Sequence, residues 1–188
     1  MKQKTYKTKR LILRELRLGD WHTWCETQKK LPPPKNEWDL GPTDKRKRAR
    51  SSYERTLKAQ KKRFKKSGTF LWSIFLKDTG EFIGWVDVSI LNRDPLQMAN
   101  LGWFVYNIFR GQGLAKEAVL KIISAAFADL HLQRLEAVID PRNKVSLKMA
   151  RSCRLRREGI KKNYWRDKAG EWKDMTVYVA TPEIFYER

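Results

Sequence analysis

The alternation of apolar and polar positions predicts a strand and two helices in the first third of the chain. In TKRLILREL, Leu11 and Leu13 fall on the same face of an extended strand. Apolar residues then recur at helical spacing from Trp21, directly after Asp20, which is a suitable N-cap residue. The three prolines in LPPPKNEWDLGP remove backbone donors and fix φ, so this segment predicts a loop.

The second predicted helix has only a thin apolar stripe. Thr43 or Asp44 can begin it, and Ser67–Gly68 can end it. Its apolar residues are Tyr53, Leu57 and Phe64. We therefore expect a long helical segment over about 43–66 whose surface is mostly exposed.

The rest of the chain predicts three strands, a helix, a strand, a short helix and a closing hairpin. TFLWSIFLK and EFIGWVDVSIL flank a turn at 78–80, and ANLGWFVYNI follows them. After Arg110–Gly113, the run EAVLKIISAAFADL has helical periodicity. RLEAVID reads as a buried strand and VSLKMARSC as a helix, while LRREGIKKNYWRD and EWKDMTVYVA pair around 168–170.

This order of elements, β-α-α-β-β-β-α-β-α-β-β, contains no internal repeat. It predicts a mixed α/β fold built on a mainly antiparallel sheet flanked by helices. A chain of 188 residues is most simply one domain over residues 1–188, because that length can bury a sizeable core.

The charge of the chain is strongly basic and unevenly distributed. There are 41 Lys and Arg residues against 21 Asp and Glu residues, which gives a formal net charge of +20. The segment Lys45–Lys66 alone carries twelve basic residues and one acidic residue, Glu54. A run of this density favours an anionic partner over a simple solvated face, since like charges along a helix repel one another.

Other classes of protein find no support in the sequence. No apolar run reaches the length of a membrane span, and the N-terminal apolar run is too short for a signal peptide, so we expect a cytoplasmic protein. Cys25 and Cys153 are isolated, and His22 and His131 lack nearby ligand partners. A metal is therefore not indicated.

The turn Arg110–Gly113, with the sequence RGQG, has the chemistry of an anion site. Glycine accepts positive φ and allows close approach to the backbone, and a helix N-terminus presents unpaired N–H groups. The turn matches neither G-x-x-x-x-G-K-[ST] nor G-x-G-x-x-G. By itself it indicates a bound phosphate without saying which one.

Several ordered motifs resemble the GNAT (GCN5-related) N-acetyltransferases, especially their ribosomal-protein alanine acetyltransferase branch. The opening TKRLILREL and the run KDTGEFIGWVDV are similar to that branch, and LGWFVYNIFRGQGLAKEA contains the [RQ]-x-x-G-x-[GA] pattern. RLEAVIDPRNKVSLKMA and REGIKKNYWRDKAGEWKDMTVYVA resemble the family's later segments. The resemblance covers almost the whole chain.

The resemblance implies that the anion is the pyrophosphate of the co-substrate acetyl-CoA. The expected N–H donors are Gly111, Gln112, Gly113, Leu114 and Ala115. Arg110 would add a charge-assisted contact. In the family, the preceding strand diverges from its neighbour and pairs with pantetheine, which here means Trp103, Phe104 and Val105. Asn143 matches a cofactor-facing asparagine and also suits a helix N-cap.

The catalytic residues are less conventional than the cofactor motif. Many GNAT enzymes carry Tyr seven residues after this asparagine, where the chain has Ala150. Ser146, in the N-x-x-S pattern, is the expected hydroxyl for the departing sulfur and the cofactor, although a first-turn serine can also satisfy backbone groups. The backbone N–H groups around Phe104–Val105 would polarise the thioester carbonyl.

The general base is open at this point. The branch often has Glu before its L/I-G-[YW] strand, whereas this chain has Asn100, which can orient water or an amine but cannot take a proton. Asp87, inside GWVDV, is the nearest carboxylate, facing either the core or solvent. Arg154 and Leu155 stand where relatives usually have Gly-Phe.

The basic segment Lys45–Lys66 bears on the acceptor, because the family's second helix borders the acceptor entrance. A basic rim would repel polycationic small molecules and favour a protein N-terminal amine, with association with a ribosome or nucleic acid through this segment. The alternatives are a small-molecule amine acetyltransferase, or a catalytically weak module that binds CoA or nucleic acid. The sequence leaves monomer and homodimer equally open.

Overall fold

The computed structural model describes residues 3–187, which form a sheet of eight strands with five flanking helices among those residues. The strands are β1 (Tyr6–Lys7), β2 (Leu11–Arg14), β3 (Thr69–Leu76), β4 (Phe82–Asn92), β5 (Met98–Val105), β6 (Arg134–Ile139), β7 (Arg156–Arg166) and β8 (Trp172–Ala180). The helices are α1 (Trp21–Lys30), α2 (Arg50–Ser67), α3 (Leu114–Ala128), α4 (Lys144–Ser152) and α5 (Pro182–Tyr186).

The sheet has the order β1-β2-β3-β4-β5-β6-β8-β7, and its register confirms the predicted fold class. The pairs β1–β2, β2–β3, β3–β4, β6–β8 and β7–β8 are antiparallel. The pair β5–β6 is parallel. The predicted succession of strands and helices is present, and β1 and α5 are additional short elements that the sequence pattern did not predict.

Contacts group the chain into two compact units, and the first contains the residues up to Ser89 together with Trp103–Lys121. Its aromatic and aliphatic core is built from Leu16, Leu31, Tyr53, Phe75, Phe82 and Tyr106. Leu11 and Leu13 of β2 are fully buried, as the alternation predicted. These side chains remove a large apolar area from water, which is the main favourable contribution to folding.

Gly84 in β4 permits a close backbone contact with β5. A Cβ atom at this position would collide with the carbonyl oxygen of Phe104 and would lie 2.9 Å from Cα of Val105. The backbone N–H of Tyr106 donates to the carbonyl of Ile83 at 3.1 Å in the same region. Only glycine fits here, so β4 fixes the position of the last residues of β5.

The second unit contains Ile90–Gly102 and the residues from Ile122 onward. Its central strand β6 pairs in parallel with the start of β5 and antiparallel with β8, and its residues Leu135 and Ala137 are buried. The predicted closing hairpin is confirmed as β7–β8. The sequence expectation that residues 1–188 form one domain stays a prediction.

Asp20 is the N-cap residue of α1, as predicted, but its carboxylate accepts hydrogen bonds from Arg14 at 2.6 and 2.8 Å and does not cap the helix N–H groups. The predicted start of the second helix is wrong. Helix α2 begins at Arg50, later than predicted, because Asp44 caps a separate turn by accepting from the backbone N–H of Lys47 at 2.8 Å. Gly68 ends α2 in the left-handed region, as predicted.

Candidate active site

The turn Arg110–Gly113 leads directly into α3 and has the geometry of an anion site. Gly111 and Gly113 have φ values of 80° and 74°, which disfavour any residue with a Cβ atom. Among residues 3–187, no backbone acceptor binds the N–H groups of residues 111–115. These donors are therefore available to an anion at the positive end of the α3 dipole.

Arg10 is a basic residue at this turn that the sequence did not single out. Its Nη1 donates to the carbonyl of Gln112 at 2.8 Å, and its Nε donates to Glu117 Oε2 at 2.7 Å. The Arg10 side chain is 44% exposed, so its guanidinium also faces solvent beside the glycines. The signal in the sequence was only a basic residue at the start of the predicted opening strand, and the contact depends on long-range packing.

Glu117 is held as an anion by its neighbours in the first turn of α3. Burial raises the pKa of this carboxyl, but hydrogen bonds from Thr8 and Arg10 outweigh burial and lower the pKa overall. The Thr8 hydroxyl donates to Oε1 at 2.6 Å, and the Arg10 backbone N–H donates at 2.8 Å. Glu117 therefore fastens the chain before β2 to the start of α3.

Arg110 anchors the loop between α1 and α2 to the end of β5. Its Nε donates to the carbonyl of Val105 at 2.9 Å, and its Nη1 lies 2.6 Å from Oδ1 of Asp39. The Asp39 side chain is only 1% exposed. Burial raises the pKa of the Asp39 carboxyl, but the contact with Arg110 and the hydrogen bond from the Lys35 backbone N–H lower it by more. The net shift of the pKa is therefore downward. Much of the Arg110 guanidinium is thus used inside the protein.

Strand β5 leaves its parallel ladder with β6 before it ends. The ladder consists of Met98, Ala99 and Asn100 opposite Arg134, Leu135 and Glu136. The residues that follow, including Trp103, Phe104 and Val105, lie outside these register pairs. Their backbone groups on that edge can therefore pair with an extended ligand, as a strand pairs with a neighbour.

Asn107 has an unsatisfied amide between β5 and the glycine turn. It lies in a short 3-10 turn, Asn107–Phe109. Both Oδ1 and Nδ2 are buried, and neither has a hydrogen-bond partner among residues 3–187. An unpartnered buried amide costs free energy unless a ligand or water satisfies it. Asn107 is therefore a polar group available to a ligand, and no motif in the sequence pointed to it.

Asp87 lies on β4 in the first unit, directly opposite Leu71 of β3. Burial raises the pKa of its carboxyl, while the charge of Arg63 and a hydrogen bond with Ser89 lower it less strongly, so the net shift is upward. The Asp87 side chain is half-buried, which lies between the two alternatives, core and solvent, that the sequence left open.

Asn100 lies in the second unit beside a different carboxylate, Glu136. The two residues are register partners across β5 and β6, and the Asn100 Oδ1 atom is buried without a hydrogen-bond partner in the described part of the chain. Glu136 contacts Arg134 at 2.7 Å and Lys161 at 2.6 Å. Burial raises the Glu136 pKa, but these two cations lower it overall. Such a stabilised anion is a weaker base than Asp87.

Asn143 and Ser146 also lie in the second unit, at the start of α4. Asn143 is the N-cap residue, and its Oδ1 accepts from the Ser146 backbone N–H at 3.0 Å. In the part of the chain that the structure describes, the Ser146 hydroxyl has no hydrogen-bond partner. The cap fixes the first turn of α4 and leaves the hydroxyl available. Ala150 is fully buried in the same helix.

Other classes of site have no support in the described chain. Within residues 3–187, no three His, Cys, Asp or Glu side chains come together as a potential metal site. No helix in that range combines the length and apolar character needed to cross a membrane.

A strand that leaves its ladder, followed by a glycine turn at a helix N-terminus, offers backbone groups to an extended ligand that carries a phosphate. The chain belongs to the GNAT acetyltransferases: the family model described as "Acetyltransferase (GNAT) domain" matches residues 10–156. It is therefore an N-acetyltransferase of this family.

Relatives of known name agree with this membership. The "Uncharacterized N-acetyltransferase p20" of Bacillus licheniformis is 29% identical over 168 residues, covering 87% of this chain and 89% of that protein. The "[Ribosomal protein uS5]-alanine N-acetyltransferase" of Escherichia coli (strain K12) is 27% identical over 117 residues, covering 62% of this chain and 60% of that protein.

Solved structures share the fold over nearly the full length. A Vibrio cholerae protein, provisionally described as a ribosomal-protein-serine acetyltransferase, has a TM-score of 0.75 at 26% identity, covering 97% of this chain and 100% of that chain. Mycobacterium smegmatis RimJ, solved in complex with CoA-disulfide, has a TM-score of 0.74 at 22% identity, covering 94% and 84% respectively.

Proposed function

We propose that this chain transfers an acetyl group directly from acetyl-CoA to the N-terminal amine of a protein. The observation that carries the donor half of the proposal is the row of N–H groups at 111–115 without a backbone acceptor. The acceptor half is supported by the basic α2 and by relatives whose names specify ribosomal-protein substrates.

The pyrophosphate of acetyl-CoA would lie at the turn before α3. The N–H groups of Gly111, Gln112, Gly113, Leu114 and Ala115 would donate to it. Arg10 would add a positive charge at the same place, because its guanidinium is bound to the turn itself. Arg110 would act mainly by holding the turn against β5.

The pantetheine arm would pair with the free edge of β5. Trp103, Phe104 and Val105 provide backbone groups beyond the β6 ladder, and the unsatisfied amide of Asn107 follows directly. The N–H groups around Phe104–Val105 would donate to the thioester oxygen, where negative charge develops during transfer. Asn143 would contribute through its cap of α4, which fixes the position of Ser146.

Acetyl-CoA supplies the activated acetyl group, and the chain's side chains would move the protons. Asp87 would accept a proton from the acceptor amine, through water, because its raised pKa makes it a stronger base than Glu136, whose pKa is lowered. Asn100 would orient a water molecule or the amine. The Ser146 hydroxyl would donate toward the departing sulfur, since nothing in the described chain occupies it.

The direct test is an acetyl-CoA turnover screen across peptides with free N-termini, ribosomal extracts and small amines, together with calorimetry of acetyl-CoA binding. We expect micromolar binding and transfer to peptide N-termini. Turnover of small amines alone would instead favour the small-molecule alternative. Binding without any turnover would favour a CoA-binding module. The observation that supports this alternative is that the chain has Ala150 where the family pattern has Tyr, and Asn100 where it has Glu.

Ser146→Ala tests the leaving-group role separately from binding. We expect a lower kcat with an unchanged dissociation constant for acetyl-CoA, because the backbone N–H that Asn143 caps is retained. An unchanged kcat would remove Ser146 from the mechanism without affecting the assignment of the donor.

A further inference from the structure

We propose that a cavity beside α2 selects acceptor polypeptides that carry acidic residues shortly after their N-terminal residue. The inference rests on the proposed function and specifies its substrate class. The cavity has a volume of about 550 Å³ and lies between α2, β3 and the end of β2. All of its lining residues belong to the first unit.

The floor of this cavity is apolar and its rim is cationic. Leu16, Leu57, Phe64 and Leu71 contribute apolar surface. Five lysines of α2 line the cavity: Lys58, Lys61, Lys62, Lys65 and Lys66. Glu15 is the single carboxylate among the described lining residues. A polypeptide segment matches this surface because its backbone and apolar atoms cover the floor while its carboxylates face the rim.

The lysine ammonium groups are available to an incoming ligand. Within residues 3–187, none of the five forms a hydrogen bond or ion pair through its side chain. Lys61 and Lys65 are separated by one helical turn, so their charges repel in the free protein. An acidic ligand would relieve this repulsion, which gives the cavity a preference for negative charge.

The position of the cavity sets which acceptor residues it contacts. Phe104, beside the proposed thioester, stacks on Trp85 of β4 with ring centroids 4.6 Å apart. Leu71 of the cavity floor is the cross-strand partner of Asp87, two residues farther along β4. Strand spacing and rise place Leu71 roughly 12 Å from Phe104. An extended chain covers that distance in about four residues, so the rim would contact about the third to sixth acceptor residues.

The experiment compares three synthetic peptides that share their first two residues, each made in an alanine-initiated and a serine-initiated form. Their third to sixth residues are acidic, neutral or basic. We expect kcat/KM to fall about tenfold from the acidic to the basic peptide, mainly because KM rises. This difference between the peptides should be smaller at high salt. Acetylation that is equal for the three charge types would overturn the acidic preference alone. Acetylation of none of them would overturn the proposed function itself.

A charge-reversed pair of variants separates the cavity from the general basicity of the chain. Lys61→Glu/Lys65→Glu changes the rim, whereas Lys45→Glu/Arg46→Glu makes the same change in charge on exposed residues outside the cavity. We expect only the first variant to lose the acidic preference by about tenfold and to gain turnover of the basic peptide. Equal effects of the two variants would overturn the assignment.

Nucleic acid is the competing occupant of the same lysines. One result is that a duplex RNA inhibits the wild type but not Lys61→Glu/Lys65→Glu. If the three peptides are then also acetylated equally, the rim binds phosphate backbones and the proposal is overturned. Peptide selectivity that persists in the presence of such RNA supports it.

Discussion

The contacts that single arginine residues make in this protein do not follow from their residue type or their place in a motif. Arg110 belongs to a cofactor motif, yet its guanidinium binds Asp39 and the Val105 carbonyl. Arg10 lies outside the motif, yet it is bound to the glycine turn. Both positions depend on partners that are distant in sequence, so their roles are set by packing.

Asp39→Asn should lower the free energy of unfolding by about 2 kcal/mol at neutral pH, because a buried, charge-assisted contact with Arg110 is weakened. The Asp39 pKa is lowered on folding, so its stabilisation is complete above the ordinary aspartate range and is lost as the pH falls through the lowered value. Urea denaturation at several pH values measures this. Exposed Asp44→Asn is the control, and an equal loss there would contradict the account.

Asp87→Asn should lower kcat by about 100-fold and remove an acidic limb from the pH–rate profile. The wild-type Asp87 must be ionised to accept a proton, and its raised pKa moves that limb to higher pH than for an ordinary aspartate. The alkaline behaviour, which reports the acceptor amine, should stay unchanged. Steady-state kinetics across pH provides the measurement, and a variant that keeps the acidic limb would exclude Asp87 as the base.

At the scale of elements, backbone geometry fixes where the strands and helices meet. Gly84→Ala should destabilise the protein by about 3 kcal/mol or more, because the new methyl group meets the Phe104 carbonyl. Gly159→Ala is a matched strand control, since nothing lies within 4 Å of a Cβ atom there. Its effect should remain within about 0.5 kcal/mol. Similar denaturation midpoints for the two variants would contradict the close β4–β5 contact.

The end of α4 carries a non-glycine residue in a glycine conformation. Arg154 has φ of 65°, in the left-handed region that favours glycine. Arg154→Gly and Arg154→Ala both remove the hydrogen bond from Nη1 to the Phe185 carbonyl at 3.2 Å, but only glycine relieves the strain. The glycine variant should be about 1 kcal/mol more stable than the alanine variant. Thermal denaturation tests this, and an alanine variant of equal or greater stability would refute it.

For the whole molecule, ligand binding should appear as thermal stabilisation. CoA at one hundred times its dissociation constant would add about 2.7 kcal/mol to the free energy of unfolding. For a chain of this size that corresponds to a rise in Tm of about 5–10 °C. Pantetheine, which lacks the pyrophosphate, should give a much smaller shift at the same concentration. Equal shifts for the two ligands would show that the glycine turn does not bind the pyrophosphate.

The sequence by itself determined most elements, the fold class and the family. Apolar periodicity depends on near neighbours, so strands β2 to β8 and helix α3 followed from the pattern, whereas the short elements β1 and α5 did not. The glycines of the turn could be recognised because positive φ is a local requirement. The start of α2 was misplaced because Asp44 caps a turn that competes with the helix.

Only the tertiary structure decided which charged and polar groups surround the site. It brought Arg10 to the glycine turn, left the Asn107 amide without a partner among the described residues, and half-buried Asp87, which raises the pKa of its carboxyl. It also formed the cavity beneath the lysines of α2. These properties depend on contacts and desolvation between segments far apart in the chain, and no local pattern of residues specifies them.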